Sequence, residues 1–153
     1  MFGKLFAQGP CEVLHRVHKA MGGRILYVIS STWREFMGRE DLCLMFNVGG
    51  LGFVAASMHD ADRWCTPVNA GRGERVDQIA AWLDRHHRGE PFAIIDDPFS
   101  GTSLWPALAL PNHPFNGRVV LCSENVGLVD TDVQTLVDAL TRPALLATQG
   151  EGS

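Results

Sequence analysis

FAIIDDPFSG, Phe92 to Gly101, is the stretch on which the fold turns. Four apolar residues, Phe92, Ala93, Ile94 and Ile95, run straight into two adjacent carboxylates, Asp96 and Asp97, and then into Pro98, Phe99, Ser100 and Gly101. An unbroken apolar run predicts a strand buried on both faces, as in a parallel sheet covered by helices. Pro98 cannot continue a central strand, so the acids fall at the strand's carboxyl end. In open α/β sheets ligands bind along that edge. Two neighbouring carboxylates repel each other, and a cation, a basic side chain or water relieves the repulsion. Asp is also common in turns, so capping a turn is the plain alternative role for the pair.

Outward from this stretch, Arg24 to Ser30 (RILYVIS) reads as a second buried strand. It ends in Ser30-Ser31-Thr32-Trp33-Arg34. Hydroxyls and backbone N–H groups donate hydrogen bonds and a guanidinium forks onto two oxygens, so this cluster suits a phosphate. A Ser/Thr helix cap followed by a packed Trp explains it equally well. Gly52 to Met58 reads as a third, weaker strand and Arg118 to Cys122 as a fourth.

Helical spacing marks four helices. Pro10 opens the first, Cys11, Leu14, Val17 and Met21 line it, and Gly22-Gly23 ends it. Leu42, Met45 and Phe46 mark a short second helix closed by Gly49-Gly50. Val76, Ile79, Ala80 and Leu83 mark a third, with Arg72 and Arg75 at its start. Cations there oppose the helix macrodipole, which points to an anionic neighbour. Val133, Leu136, Val137 and Leu140 mark the last, with Thr131 and Gln134 as a capping box. His59 to Gly73 reads as a long functional or mobile loop, and Pro98 to Asn116 as a Pro-rich one.

Helices alternating with buried strands predict a Rossmann-like three-layer α/β/α sandwich with a mainly parallel sheet. One domain spans residues 1–141 and a flexible tail residues 142–153. In a parallel sheet Ser30, Arg75 and Asp96 share one cleft at the carboxyl edge.

The 153 residues are 46% hydrophobic and 20% charged, a globular composition. A net charge of −4 gives no electrostatic footprint for sequence-independent nucleic-acid binding and leaves room only for a local basic site. No apolar run approaches the roughly 18 residues of a membrane span. The N-terminus lacks a signal-peptide pattern, so the expectation is a cytoplasmic protein with no membrane partner. Cys11, Cys43, Cys65 and Cys122 are scattered without CxxC spacing and read as reduced thiols. His15 and His18 have no third ligand near them in sequence and read as surface or boundary histidines.

An apolar strand followed by SSTWRE, then Arg75-x-x-x-Ile79-x-x-Trp82-Leu83, then an apolar strand with Asp96-Asp97, then Val126-Gly127-Leu128 before a final helix resembles the haloacid dehalogenase-like (HAD) phosphatases. It looks closest to the small HAD domains grouped with the "Swiss Army Knife" RNA repair proteins. The resemblance covers roughly Cys11 to Leu140. It implies that Ser30, or else Ser31, holds the transferring phosphoryl group and that Arg75 neutralises phosphate and carboxylate charge. It also implies that Asp96 and Asp97 hold Mg²⁺ and that Ser31, Thr32, Trp33 and Arg34 lie on the substrate side. Trp33 and Arg34 match the family's SSSWR stretch. The implied substrate is a phosphorylated small molecule or a nucleic-acid end.

One departure outweighs these matches. HAD phosphatases begin with a strand ending in D-x-D, whose first Asp becomes an aspartyl-phosphate. Here the first acidic residue is Glu12, inside the predicted first helix, and the next is Glu35. The family's third acid after the Asp pair is also missing, with Ser100 near its place. The resemblance therefore implies a Mg²⁺-dependent phosphate-ester hydrolase fold that is impaired or inactive in this chain, a pseudoenzyme. The alternative is a non-catalytic module for a phosphorylated ligand, a protein partner or a second copy. The first catalytic strand is absent or replaced. Phe2 to Ala7 is the expected substitute, with direct pairing of the two flanking strands or a start upstream as the other solutions.

Overall fold

The computed structural model describes residues 8–30, 37–59, 63–67, 71, 73–122 and 127–143. Helix α1 (Gln8–Ala20) buries Val13 and Val17. It ends at Gly22 and Gly23, whose φ of 66° and 74° suits glycine and whose N–H groups bond Lys19 and His18 carbonyls. Helix α2 (Arg39–Val48) carries Glu40 and Asp41 in its first turn, where the macrodipole favours acids, and buries Leu42 and Phe46. A short helix α3 (Gly52–Ala56) packs on α2. Helix α4 (Arg75–His86), strand β1 (Ile94–Asp96), a 3₁₀ turn (Thr102–Leu104), helix α5 (Trp105–Ala109), strand β2 (Val119–Leu121) and helix α6 (Asp130–Thr141) follow.

Strands β1 and β2 are parallel, with Ile94, Ile95 and Asp96 opposite Val119, Val120 and Leu121. Successive residues of a strand face opposite ways. Val119 packs with Ile79 and Leu83 of α4, whereas Val120 packs with Val13 and Val17 of α1 and Leu136 of α6. Helices therefore pack on both faces of β2, whereas in β1 only Ile94 is buried and Ile95 is 40% exposed, so the expected burial of that strand on both faces is only partly met.

The Arg24–Ser30 stretch is extended but forms only two isolated parallel bridges, Tyr27 with Met58 and Ile29 with Cys65, instead of a continuous strand. The bond pattern defines its edges. Tyr27 and Ile29 spend their N–H and C=O groups on Ser57, His59, Trp64 and Thr66. Leu26 and Val28 therefore face the other way. On β1, Ile94 donates to Arg118 and Asp96 accepts from Cys122, so Ile95 faces away from β2. Among the described residues no ladder joins these two edges.

Three expectations are corrected. Gly52 to Met58 is no strand: its buried residues Val54, Ala55 and Met58, with Leu51 just before them, recur at helical spacing, and α3 forms there. The Pro98–Asn116 segment is not only loop: it contains the 3₁₀ turn and α5, with Pro106 in the first turn of α5 and Leu104 and Ala107 buried. The Thr131–Gln134 capping box does not form. Asp132 instead accepts from the Val129 N–H at 2.9 Å, and Gln134 bonds Asp138.

The His59–Gly73 stretch holds a bridge at Cys65, while residues 60–62, 68–70 and 72, Arg72 included, lie outside the described residues. So do residues 1–7 and 144–153. His18 bonds the Tyr27 hydroxyl at 2.9 Å, and both His15 and His18 contact the Phe53 ring, boundary roles as expected. Arg118 ties the C-terminal end together: its guanidinium, 4% exposed as a residue, donates to the carbonyls of Phe92, Ala139, Arg142 and Pro143.

Candidate functional site

Asp96 ends β1 on the face toward α4, and Arg75 opens α4. The two elements bring these side chains together. Arg75 Nε donates to Asp96 Oδ2 at 2.7 Å, with side chains only 7% and 13% exposed. The Asp97 N–H donates to Asp96 Oδ1 at 2.9 Å. Burial pushes the Asp96 carboxyl above its ordinary range, and the Asp97 charge adds to that rise. The Arg75 guanidinium and the Asp97 N–H pull against it without cancelling it.

Asp97 does different work. Its Oδ1 accepts the Ser100 N–H at 2.8 Å, and its carbonyl accepts the Gly101 N–H at 2.9 Å. The turn-capping role thus applies to Asp97. A Cβ on Gly101 would lie 2.9 Å from the Asp97 carbonyl oxygen and 3.2 Å from Asp96 Cβ, so only glycine lets the turn fold back against the strand end. Ser103 then completes the enclosure. Its Oγ accepts the Val76 N–H at 3.0 Å and caps α4, whose own N-cap Glu74 makes no side-chain capping bond. The Cys122 thiol belongs to the same neighbourhood. Burial, followed by the charges of Asp132, Asp96 and Asp97, pushes it up to about 12, so it stays protonated at neutral pH and is no nucleophile.

Of the residues expected at the site, Arg75 and Asp96 meet, and Asp97 lies next to them with its carboxylate turned to Ser100. Ser30 is half-buried, one residue past Ile29 at the carboxyl end of the other half-sheet. Ser31, Thr32, Trp33 and Arg34 lie outside the described residues. Glu12, the first acid of the chain, is exposed on α1 and ends no strand. Sequence reasoning missed Ser103 and Gly101; the Ser100-Gly101 dipeptide was their available signal, as a turn marker.

A separate cavity of about 150 Å³ opens beside the C-terminal part of α4, lined by Cys65, Thr66, Trp82, Arg85 and His86 among others. Arg75 and Arg85 are about 15 Å apart along the helix, so this cavity is not part of the acid site.

A family model described as "HAD domain in Swiss Army Knife RNA repair proteins" matches residues 3–133. The chain belongs to that family. The match takes in every member of the Arg75–Asp96–Asp97 group and starts upstream of the resemblance read from Cys11. This chain is therefore a HAD-like phosphatase-fold domain, and its α/β character agrees with the parallel β1–β2 pair. No curated protein and no solved structure matches this chain. No helix among its described residues is long and apolar enough to cross a membrane.

The family context brings Mg²⁺ into question. Mg²⁺ takes one or two protein carboxylates and completes six oxygens with water and phosphate. Asp96 and Asp97 are the carboxylates that could supply that share, although Arg75 and the Asp97 N–H engage the two Asp96 oxygens and Ser100 engages Asp97. Among the described residues no group of three His, Cys, Asp or Glu side chains offers more.

Proposed function

We propose that this HAD domain binds phosphate monoesters, of small molecules or of nucleic-acid ends, at the carboxyl end of β1, and that the chain by itself turns them over very slowly. The meeting of Arg75 and Asp96 at the start of α4, with Asp97 adjacent, carries this reading. Arg75 offers the phosphate a charge-assisted hydrogen bond, and the first turn of α4 adds a favourable dipole. Ser30 donates to the phosphoryl group, and Ser31, Thr32, Trp33 and Arg34 serve the substrate side, by resemblance. Asp96 and Asp97 would hold Mg²⁺, which supplies positive charge against the phosphate. A phosphate that draws Arg75 away releases the Asp96 oxygen, so phosphate and metal favour each other. Slow turnover follows from the absence of any carboxylate before Glu12 and from the exposed helical position of Glu12 itself. Losing an activated nucleophile removes several powers of ten in rate.

Titration calorimetry tests the site. Mg²⁺ alone and phosphate alone bind weakly, and each strengthens the other by the same factor. Asp96→Asn weakens the metal arm and Arg75→Ala the phosphate arm. No heat from Mg²⁺ with phosphate or a 5′-nucleotide at millimolar concentration would sink the proposal.

The fold we propose to go with this function is a three-layer α/β/α sandwich with a slot for a further strand between the β1–β2 pair and the Tyr27 and Ile29 bridges. Two helices support this by bridging them. Leu14 of α1 packs in the cores of both halves, and Trp82 of α4 donates to the Arg63 carbonyl at 3.0 Å while its neighbours Ile79 and Leu83 pack on Ile94. Leu26 and Ile95 are 64% and 40% exposed, as edge residues are. With a further strand paired in the slot, the amides of Leu26, Val28 and Ile95 are expected to exchange slowly with deuterium, as in a ladder. Exchange at the rate of exposed loop amides would show an open edge and remove the slot.

A further inference from the structure

From Pro98 to Gly117 the chain carries no Lys, Arg, Asp or Glu, although 20% of its residues are charged. The segment is not buried to match. α5 and the turn before it press Leu104 and Ala107, both 0% exposed, into the core. On the outside, Trp105 and Leu108 are 52% and 48% exposed, with Phe99 and Leu110 beside them at 75% and 54%. A helix that is apolar on both sides is a buried helix, so the outer side of α5 has the character of an interface.

Its polar groups agree. The Trp105 indole N–H donates to the Pro98 carbonyl, Thr102 Oγ1 to the Phe99 carbonyl and Asn116 Nδ2 to the Ala107 carbonyl. These bonds fix the segment. What remains outside carries no Lys, Arg, Asp or Glu and is mainly apolar, with Ser100, Thr102 and Asn112 as its exposed polar side chains. Its complement is another uncharged apolar surface, and the segment is itself such a surface. Elsewhere two copies of net charge −4 repel each other; here they meet with no like charges opposed.

We propose that two copies of this chain pair through Phe99, Trp105, Leu108 and Leu110 about a two-fold axis, the commonest closed symmetry. The proposal stands independently of the phosphate reading. Sedimentation velocity on the full chain is expected to give a concentration-dependent dimer that tightens with added salt, because salt screens the repulsion of the two negative copies. Leu108→Glu and Phe99→Asp each raise the dimer dissociation constant at least about tenfold while leaving the helical circular dichroism unchanged. Val48→Glu, at an exposed apolar residue of α2, leaves it unchanged. A monomer at all concentrations, an open-ended series of oligomers, or a dimer that survives both substitutions on the segment would overturn the proposal. So would a dimer that Val48→Glu disrupts as strongly.

Discussion

Replacing Arg118 by methionine is expected to lower stability by about 3 kcal/mol, and the melting temperature by about 6–12 °C for a domain of this size. The guanidinium donates at 3.0 Å to Phe92, 2.9 Å to Ala139, 2.8 Å to Arg142 and 3.0 Å to Pro143, all backbone carbonyls. Three of these acceptors lie at and just beyond the end of α6, where carbonyls lack helical partners and the dipole favours a cation. The fourth belongs to the residue two before β1. One side chain thus joins the β1–β2 pair to α6, and it stacks 4.8 Å over the Phe92 ring. Burial and the Arg142 charge both pull its pKa down, so desolvation already offsets part of the hydrogen bonding. That is why the expected loss is well below four full charged hydrogen bonds. Methionine keeps the stem and strands the carbonyls; lysine keeps the charge and reaches fewer of them, so Arg118→Lys should recover part of the loss. Urea denaturation followed by circular dichroism checks both. A change within about 1 kcal/mol for Arg118→Met would mean that desolvation cancels the bonds.

Arg118 also illustrates what the sequence hides. It reads as the first residue of a strand, and nothing local marks it as a tie to residues more than twenty positions away. The same holds for the site. The apolar run into Asp96-Asp97 made β1 legible although Ile95 is left 40% exposed, and Arg75 was legible as a cation in the wrong place on a helix. Their pairing spans 21 positions, and the Ser103 cap on Val76 spans 27, so neither leaves a local pattern. The division of labour between the acids was equally hidden: Asp96 turns inward to Arg75, and Asp97 turns to Ser100. Short apolar runs failed differently. Gly52 to Met58 is as apolar as a strand, and only the spacing of Leu51, Val54, Ala55 and Met58 distinguishes it. Arg24 to Ser30 reads as a buried strand, yet it forms only two isolated bridges and leaves Leu26 64% exposed, because ladder formation depends on neighbours distant in sequence.

Arg75→Met is expected to destabilise the domain by about 3–5 kcal/mol near neutral pH, because it leaves the Asp96 carboxylate buried without its partner. Exchanging both residues, Arg75→Met with Asp96→Leu, should recover most of that loss, since an apolar pair of similar volume replaces the ions at little cost. The pH dependence gives an independent reading. The folded-state pKa of Asp96 is raised from an ordinary value of 3.8, burial being the main cause. The folded protein then holds this proton more tightly than the unfolded chain does. Its contribution is fully present below 3.8 and is lost as pH rises through the raised folded value. Removing Arg75 takes away the main force holding that value down, so the window extends further upward. The deficit of Arg75→Met relative to wild type should therefore shrink in acid and grow toward neutral pH. Denaturation of both proteins across that range, with carbon-13 titration of the Asp96 carboxyl, measures it. The measurement also protects the binding test, because a loss of phosphate affinity in an Arg75 variant means little until its folded fraction is known. A deficit that stays constant with pH would show that Asp96 does not feel Arg75, and the pair would then be two independent side chains at a shared edge.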